Sequence, residues 1–175
     1  MTQAANLAQV GSNANSGGTL ITSGTAVAST SGTSIDFTSI PAGVKRITVM
    51  LSGVSLSGTS QILTQIGDGT VNTSGYSSSS GKVNNSGVAT SVTSTAGFIA
   101  AIDPAAASLT WGQIVLTLIS GTTWVYSVNG GCSGNAVGFF GGGSKALSST
   151  LDRVRITTVN GTDTFDAGSI NILYE

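Results

Sequence analysis

The chain has no histidine, and only 7% of its 175 residues are charged. Without histidine it lacks the commonest general base near neutral pH and the commonest transition-metal ligand. A Ser-His-Asp or Cys-His arrangement is therefore impossible within one chain. There is one cysteine, Cys132, so no intrachain disulfide can form. Its setting, GGCSGNA, reads as a small packed thiol rather than a nucleophile. Six Lys and Arg against seven Asp and Glu leave a net charge of -1, too little to steer nucleic acid or acidic lipid over distance. The basic residues form no stripe, which argues against a nucleic-acid partner. No run approaches the ~18 consecutive apolar residues of a membrane span, so membrane insertion is not expected. The opening MTQAANLAQVGSNANSGG has neither the basic region nor the apolar run of a secretory signal. No Asp/Asn ladder of calcium-loop ligands is present, and no metal or cofactor is expected.

What fills the chain instead is glycine, 25 residues, with serine, threonine and asparagine, over a hydrophobic content of 39%. Such a surface is polar without being ionic. A chain of this length suggests one domain. With neither disulfides nor metal ligands to staple it, oligomerisation is the remaining common way to bury more surface. Residues 1–18 read as an extended polar arm. From Thr19 onward the pattern is β-like. Ile47, Val49 and Leu51 alternate with Arg46, Thr48 and Met50, as in a half-buried strand. Further strands are expected at Gln61–Ile66, Ala96–Ile102, Trp111–Ser120, Trp124–Val128 and Ala136–Phe140. Trp111–Ser120 carries apolar residues on both faces, which predicts an internal strand buried on both sides. Residues 72–95, with four consecutive serines at 77–80, read as long loops around weak strands; an exposed hydroxyl-rich strand would look the same. In the closing segment, Val154, Ile156 and Thr158 share one face and Arg153, Arg155 and Thr157 the other. Asn160-Gly161 then makes a turn, and Ile170, Ile172 and Tyr174 alternate to the end. No window has a capped helical period. The fold class is all-β: residues 19–175 form a single β-sandwich domain of jelly-roll type behind the arm.

Candidate chemistry is sparse. GGGSK reverses the Lys-Ser/Thr order that a phosphate loop requires, so it reads as a turn before a strand. Two carboxylates ~5–10 Å apart would permit glycoside hydrolysis, and Asp68, Asp103, Asp163 and Asp166 are the candidates. Their G-D-G, D-P and N-G-T-D contexts favour ordinary turns, so no enzyme is expected. Lys45, Arg46, Arg153 and Arg155 lie on polar strand faces, where Asp36 or Asp152 could pair with them for ~0–1 kcal/mol each. Tyr76, Trp111 and Trp124 are the candidates for stacking on a glycan. The competing reading places Trp111 and Trp124 in the sandwich core or at a subunit interface.

Three stretches carry a resemblance: SGTSIDFTSIPAGVKRITVMLSGVSLSGTSQILTQIGDG, TSGY, and GSKALSSTLDRVRITTVNGTDTFDAGSINILYE. The text resembles a β-rich module of tailed-bacteriophage virion structural and tail-fibre-like proteins. The resemblance covers about residues 30–75 and 140–175; the middle diverges. It implies a non-enzymatic surface protein of the virion, made in the bacterial cytoplasm and displayed as a homotrimer in contact with capsid or tail proteins. The short arm departs from the long shaft of a full fibre. It favours a capsid decoration or short fibre protein gripped through residues 1–18, with a receptor- or glycan-binding fibre tip as the alternative. The module is structural, so it carries over no catalytic residue.

Overall fold

A computed structural model describes residues 21–101 and 105–175. The arm assigned to residues 1–18 and the candidate Asp103 lie outside the described residues. In chain order the strands are β1 (Thr22–Ser23), β2 (Val27–Ala28), β3 (Ser34–Phe37), β4 (Arg46–Leu56), β5 (Ile62–Gly67), β6 (Ser77–Val83) and β7 (Ala89–Ser94). They continue as β8 (Phe98–Ala101), β9 (Thr110–Ser120), β10 (Thr123–Cys132), β11 (Val137–Ala146), β12 (Arg153–Thr158) and β13 (Phe165–Tyr174), with a 3-10 turn at Gly134–Ala136.

They form two antiparallel sheets. The smaller runs β3-β12-β5-β8, and the larger runs β1-β13-β4-β9-β10-β11-β6-β7, with β2 also on β13. Between β3 and β12 the chain alternates between the sheets as a jelly roll does. The strand that would lie between β4 and β6 is expanded here into the β9-β10-β11 meander. Three strands reverse direction as one does, so the antiparallel pairing on either side is kept.

The core follows from period-two alternation. Ile47, Val49 and Leu51 of β4, Val154 and Ile156 of β12, and Ile170 and Ile172 of β13 are all buried in one cluster between the sheets. Each such side chain contributes ~1.5–3 kcal/mol. Gly168 sits in a bulge of β13 at φ +90, and a Cβ there would collide with the Gly53 carbonyl of β4, itself a glycine at φ +63. Only glycine combines that backbone with so close an approach.

Three expectations need correction. Of the two readings of residues 72–95, the long loops give way to the hydroxyl-rich strand, since β6 and β7 form a hairpin, and Gly141–Lys145 lies inside β11 rather than in a turn. Glycine serves there because a Cβ at Gly143 would meet the Ser77 carbonyl and the Phe98 ring. Strand β9 is internal, between β4 and β10, but it is buried on one face only: Ile114 and Leu116 point inward while Trp111 and Ile119 are exposed. The large sheet outruns the small one, and among the described residues no strand covers its apolar outward positions.

At the far end the two sheets meet through hydroxyl groups. Among the described residues, strand β8 pairs with β5 alone, which leaves its other edge without a partner strand. The serine run closes it: Ser77 and Ser79 face solvent, while Ser78 and Ser80 are buried. Ile99 N–H donates to Ser78 Oγ (3.1 Å), and the Ile99 carbonyl accepts from Ser80 Oγ (2.8 Å) and Tyr126 Oη (2.8 Å). Beyond the end of β8, Tyr76 Oη does the same for β5, accepting from Ile66 N–H at 2.8 Å. Its proton is shared between the Ile66 and Asn72 carbonyls, at 3.1 and 2.9 Å. The Phe98 ring fills the space between these groups, stacked on Tyr126 at 4.5 Å and edge-on to Tyr76 at 4.9 Å.

The two serines are not equivalent. Ser78→Ala leaves a buried N–H with no partner, at a cost of about 1–3 kcal/mol. Ser80→Ala leaves the Ile99 carbonyl still bonded to Tyr126 and is expected to cost less. Urea denaturation of both variants checks the order; equal losses, or a larger loss for Ser80→Ala, would refute this account of the seam.

Candidate functional site

Of the carboxylates proposed for chemistry, the three that are described, Asp68, Asp163 and Asp166, are occupied with structure. Asp163 follows the Asn160-Gly161 turn, where Gly161 takes φ +69. Asn160 Oδ1 accepts from the backbone N–H groups of Thr162 and Asp163, and Asn160 Nδ2 donates to Asp163 Oδ1 at 2.7 Å. The other Asp163 oxygen accepts from Ser60 N–H at 2.8 Å, tying this turn to the loop after β4. The Asn160 side chain and the Ser60 N–H together hold the Asp163 carboxyl below the usual range. Asp68 accepts from Asn72 Nδ2 and from Ser149 N–H, joining the loops before β6 and before β12. Asp166 is not in a turn: it lies in β13 and accepts from the Ser55 hydroxyl on β4.

The basic residues find the partners foreseen for two of them. Arg155 and Asp36 form a two-pronged pair across β12 and β3, with nitrogen–oxygen distances of 2.6 and 2.7 Å. Arg153 grips Asp152 in the same way at 2.7 and 2.9 Å. Arg46 reaches Glu175 at 3.6 Å. Lys145 lies 5.3 Å above the Tyr76 ring, a cation–π contact. Of the seven acidic residues all but Asp103 are described, and each of those six is engaged in a hydrogen bond or ion pair. Among the described residues, no three Cys, Asp or Glu side chains group as metal ligands.

The three stacking candidates separate. Tyr76 and Trp124 are each 3% exposed, packed into the core between the sheets. No ring face is left on either for a sugar, and burial pushes the Tyr76 hydroxyl up to about 12. Trp111 is 45% exposed on the outer face of β9. Cys132 is buried beside Thr110, whose hydroxyl points at its sulfur at 3.8 Å.

Sequence reading missed what surrounds Trp111. The registers align Trp111 with Gly131, Gly138 and Val83, and the next row places Gln113, Asn129, Phe140 and Gly81 side by side. Two further rows, starting at Val115 and Thr117, cross the same four strands. Four outward positions on each of β9, β10, β11 and β6 therefore share one surface, and none of them is charged. Phe140 is 58% exposed and leans over Gly81, whose missing side chain makes room for the ring. The strand at Trp111–Ser120 was visible in the sequence. The pairing of β11 with β6, across a gap of more than fifty residues, was not. In class, the molecule is an all-β sandwich whose ionic groups brace loops and strands, and the β9-β10-β11-β6 part of its larger sheet presents an uncharged outer surface. Comparison with protein-family models, curated proteins and solved structures finds no match to the chain.

The Asp152–Arg153 pair gives a pH prediction. The Arg153 guanidinium first, and then the Gly69 N–H, lower the Asp152 carboxyl from 3.8 to about 2. Its folded value is below its unfolded one, so its stabilisation is complete above about pH 4 and is lost as pH falls toward 2. Asp152→Asn is expected to lower the melting temperature near neutrality and to flatten its decline between about pH 4 and 2. A deficit of the same size at every pH would show that the charge is irrelevant.

Proposed function

We propose that the protein is a non-enzymatic structural component of a bacteriophage particle. It is displayed on the virion surface as a capsid decoration or short fibre protein, self-associated as a homotrimer. The observation that carries this reading is the use of the described carboxylates. In a chain without histidine they are the groups best suited to acid–base work, and each is tied to a neighbouring loop or strand. The same bonds suit a rigid building block. The likeness of residues 30–75 and 140–175 to phage virion modules supports the reading. So does a neutral surface of hydroxyl and amide groups, which stays hydrated without attracting nucleic acid.

In this reading residues 1–18 form the anchor to capsid or tail proteins, and the sandwich projects outward. The loops expected to face outward, 76–95 and 129–143, are largely strands, so the projecting part is the β10-β11-β6-β7 end of the large sheet. Mass spectrometry of purified particles is expected to find the chain in stoichiometric amount. Deleting residues 1–18 is expected to abolish incorporation while the circular dichroism of the domain is unchanged. Absence of the full chain from particles overturns the virion reading, and normal incorporation of the truncation overturns the anchor. Light scattering of the purified protein is expected to give three times the 17.2 kDa chain mass; a monomer would remove the trimer.

A further inference from the structure

The outer face of β11, β6 and β7 holds an open groove of about 460 Å³, within the size range of small-ligand sites. Its floor is glycine: Gly142 leaves the backbone bare, and Gly81 lies beneath the Phe140 ring. One wall is the Phe140 ring, more than half exposed despite its size. Beside it stand Ser79 on β6 and Ser91 on β7; Ser91 is aligned with Gly81, and Ser79 with Gly142. Both serines are exposed, and neither hydroxyl is used in a hydrogen bond within the described residues. This contrasts with Ser78 and Ser80 on the same strand, whose hydroxyls are spent on Ile99. Lys82 also lines the groove, but it is held in an interaction of its own.

We infer that this groove binds a neutral carbohydrate. A pyranose ring presents an apolar C–H face and a rim of hydroxyls. The first matches an exposed aromatic ring over a flat glycine floor. The second matches serine hydroxyls, each able to donate and to accept. The rows alongside are uncharged and Lys82 in the groove wall is already engaged, which together argue for a ligand without carboxylate or sulfate. Trp111 lies two strands from Phe140, about 10 Å across the sheet, and one row along it. A second sugar ring of the same chain has a platform there. A second copy of the protein is the less favoured occupant. A stable subunit interface needs about 800 Å² per partner, whereas the exposed apolar side chains here are separated by glycine and serine.

This inference is independent of the virion assignment, since sugar binding is measured on the purified full chain. The probes are neutral oligosaccharides of glucose, galactose, mannose and N-acetylglucosamine, with alginate and a sulfated polysaccharide as acidic controls. Titration calorimetry and a glycan array are expected to show at least one neutral series binding in the millimolar range or tighter. Phe140→Ala is expected to weaken it about tenfold, and Ser91→Glu to do the same by narrowing and charging the groove. Both substitutions are at exposed positions, so melting temperature should be unchanged. A Trp111→Ala variant should weaken long oligosaccharides more than disaccharides. Binding of acidic polymers alone, no binding by any neutral series, or full affinity in Phe140→Ala overturns the proposal. So does a change of oligomeric state in Phe140→Ala, which would make this face an interface between copies.

Discussion

The structure depends on how one strand edge is satisfied. Strand β8 ends the small sheet, and an open edge inside a sandwich leaves polar backbone groups out of reach of water. A further strand would normally supply the missing bonds. Here Ser78, Ser80 and Tyr126 do so at Ile99, and Tyr76 repeats the arrangement at Ile66. Side-chain oxygens thus stand in for a backbone ladder. They join the two sheets at the end where the large one overhangs. The Tyr76–Phe98–Tyr126 cluster can sit dry between the sheets because its hydroxyls are spent on this seam.

The same economy runs through the loops. A chain with so few charges has little use for ion-pair networks, and the pairs it makes are short-range clamps. Asp163 ties the Asn160-Gly161 turn to Ser60, Asp68 ties one loop to Ser149, and Asp36 joins β3 to β12. Exposed pairs of this kind contribute little individually. Their effect is geometric: they set where loops lie relative to the sandwich. Asn and Asp suit this work because their short side chains accept from backbone N–H groups two or three residues away.

Much of this was legible in the sequence, and the part that was not has a physical cause. Strands β4, β12 and β13 were visible because one face is wholly buried, which writes period-two alternation into the residues. The turn at Asn160-Gly161 was visible because few residues accept a positive φ. The β6–β7 hairpin and the glycine-rich half of β11 were obscured. They lie at the overhang, where burial comes from hydroxyls and bare backbone rather than from Val and Ile. Serine in a run of four signals nothing until a partner strand shows that alternate members are buried. Trp111 and Trp124 looked equivalent for the same reason. Residue type states a preference for burial, and strand register decides which of the two receives it.

The uncharged outer face has a consequence for the conditions under which the protein can act. Contacts between ionic surfaces weaken as salt shortens the Debye length, from ~10 Å at 0.1 M to ~3 Å at 1 M. A face made of glycine, serine, amide and aromatic groups offers no ion pairs for salt to screen. Whatever it touches, the contact should be held equally in dilute water and in brine, and salting-out ions should tighten rather than loosen it. A contact made through such a surface keeps its strength across environments that would switch a charged one on and off.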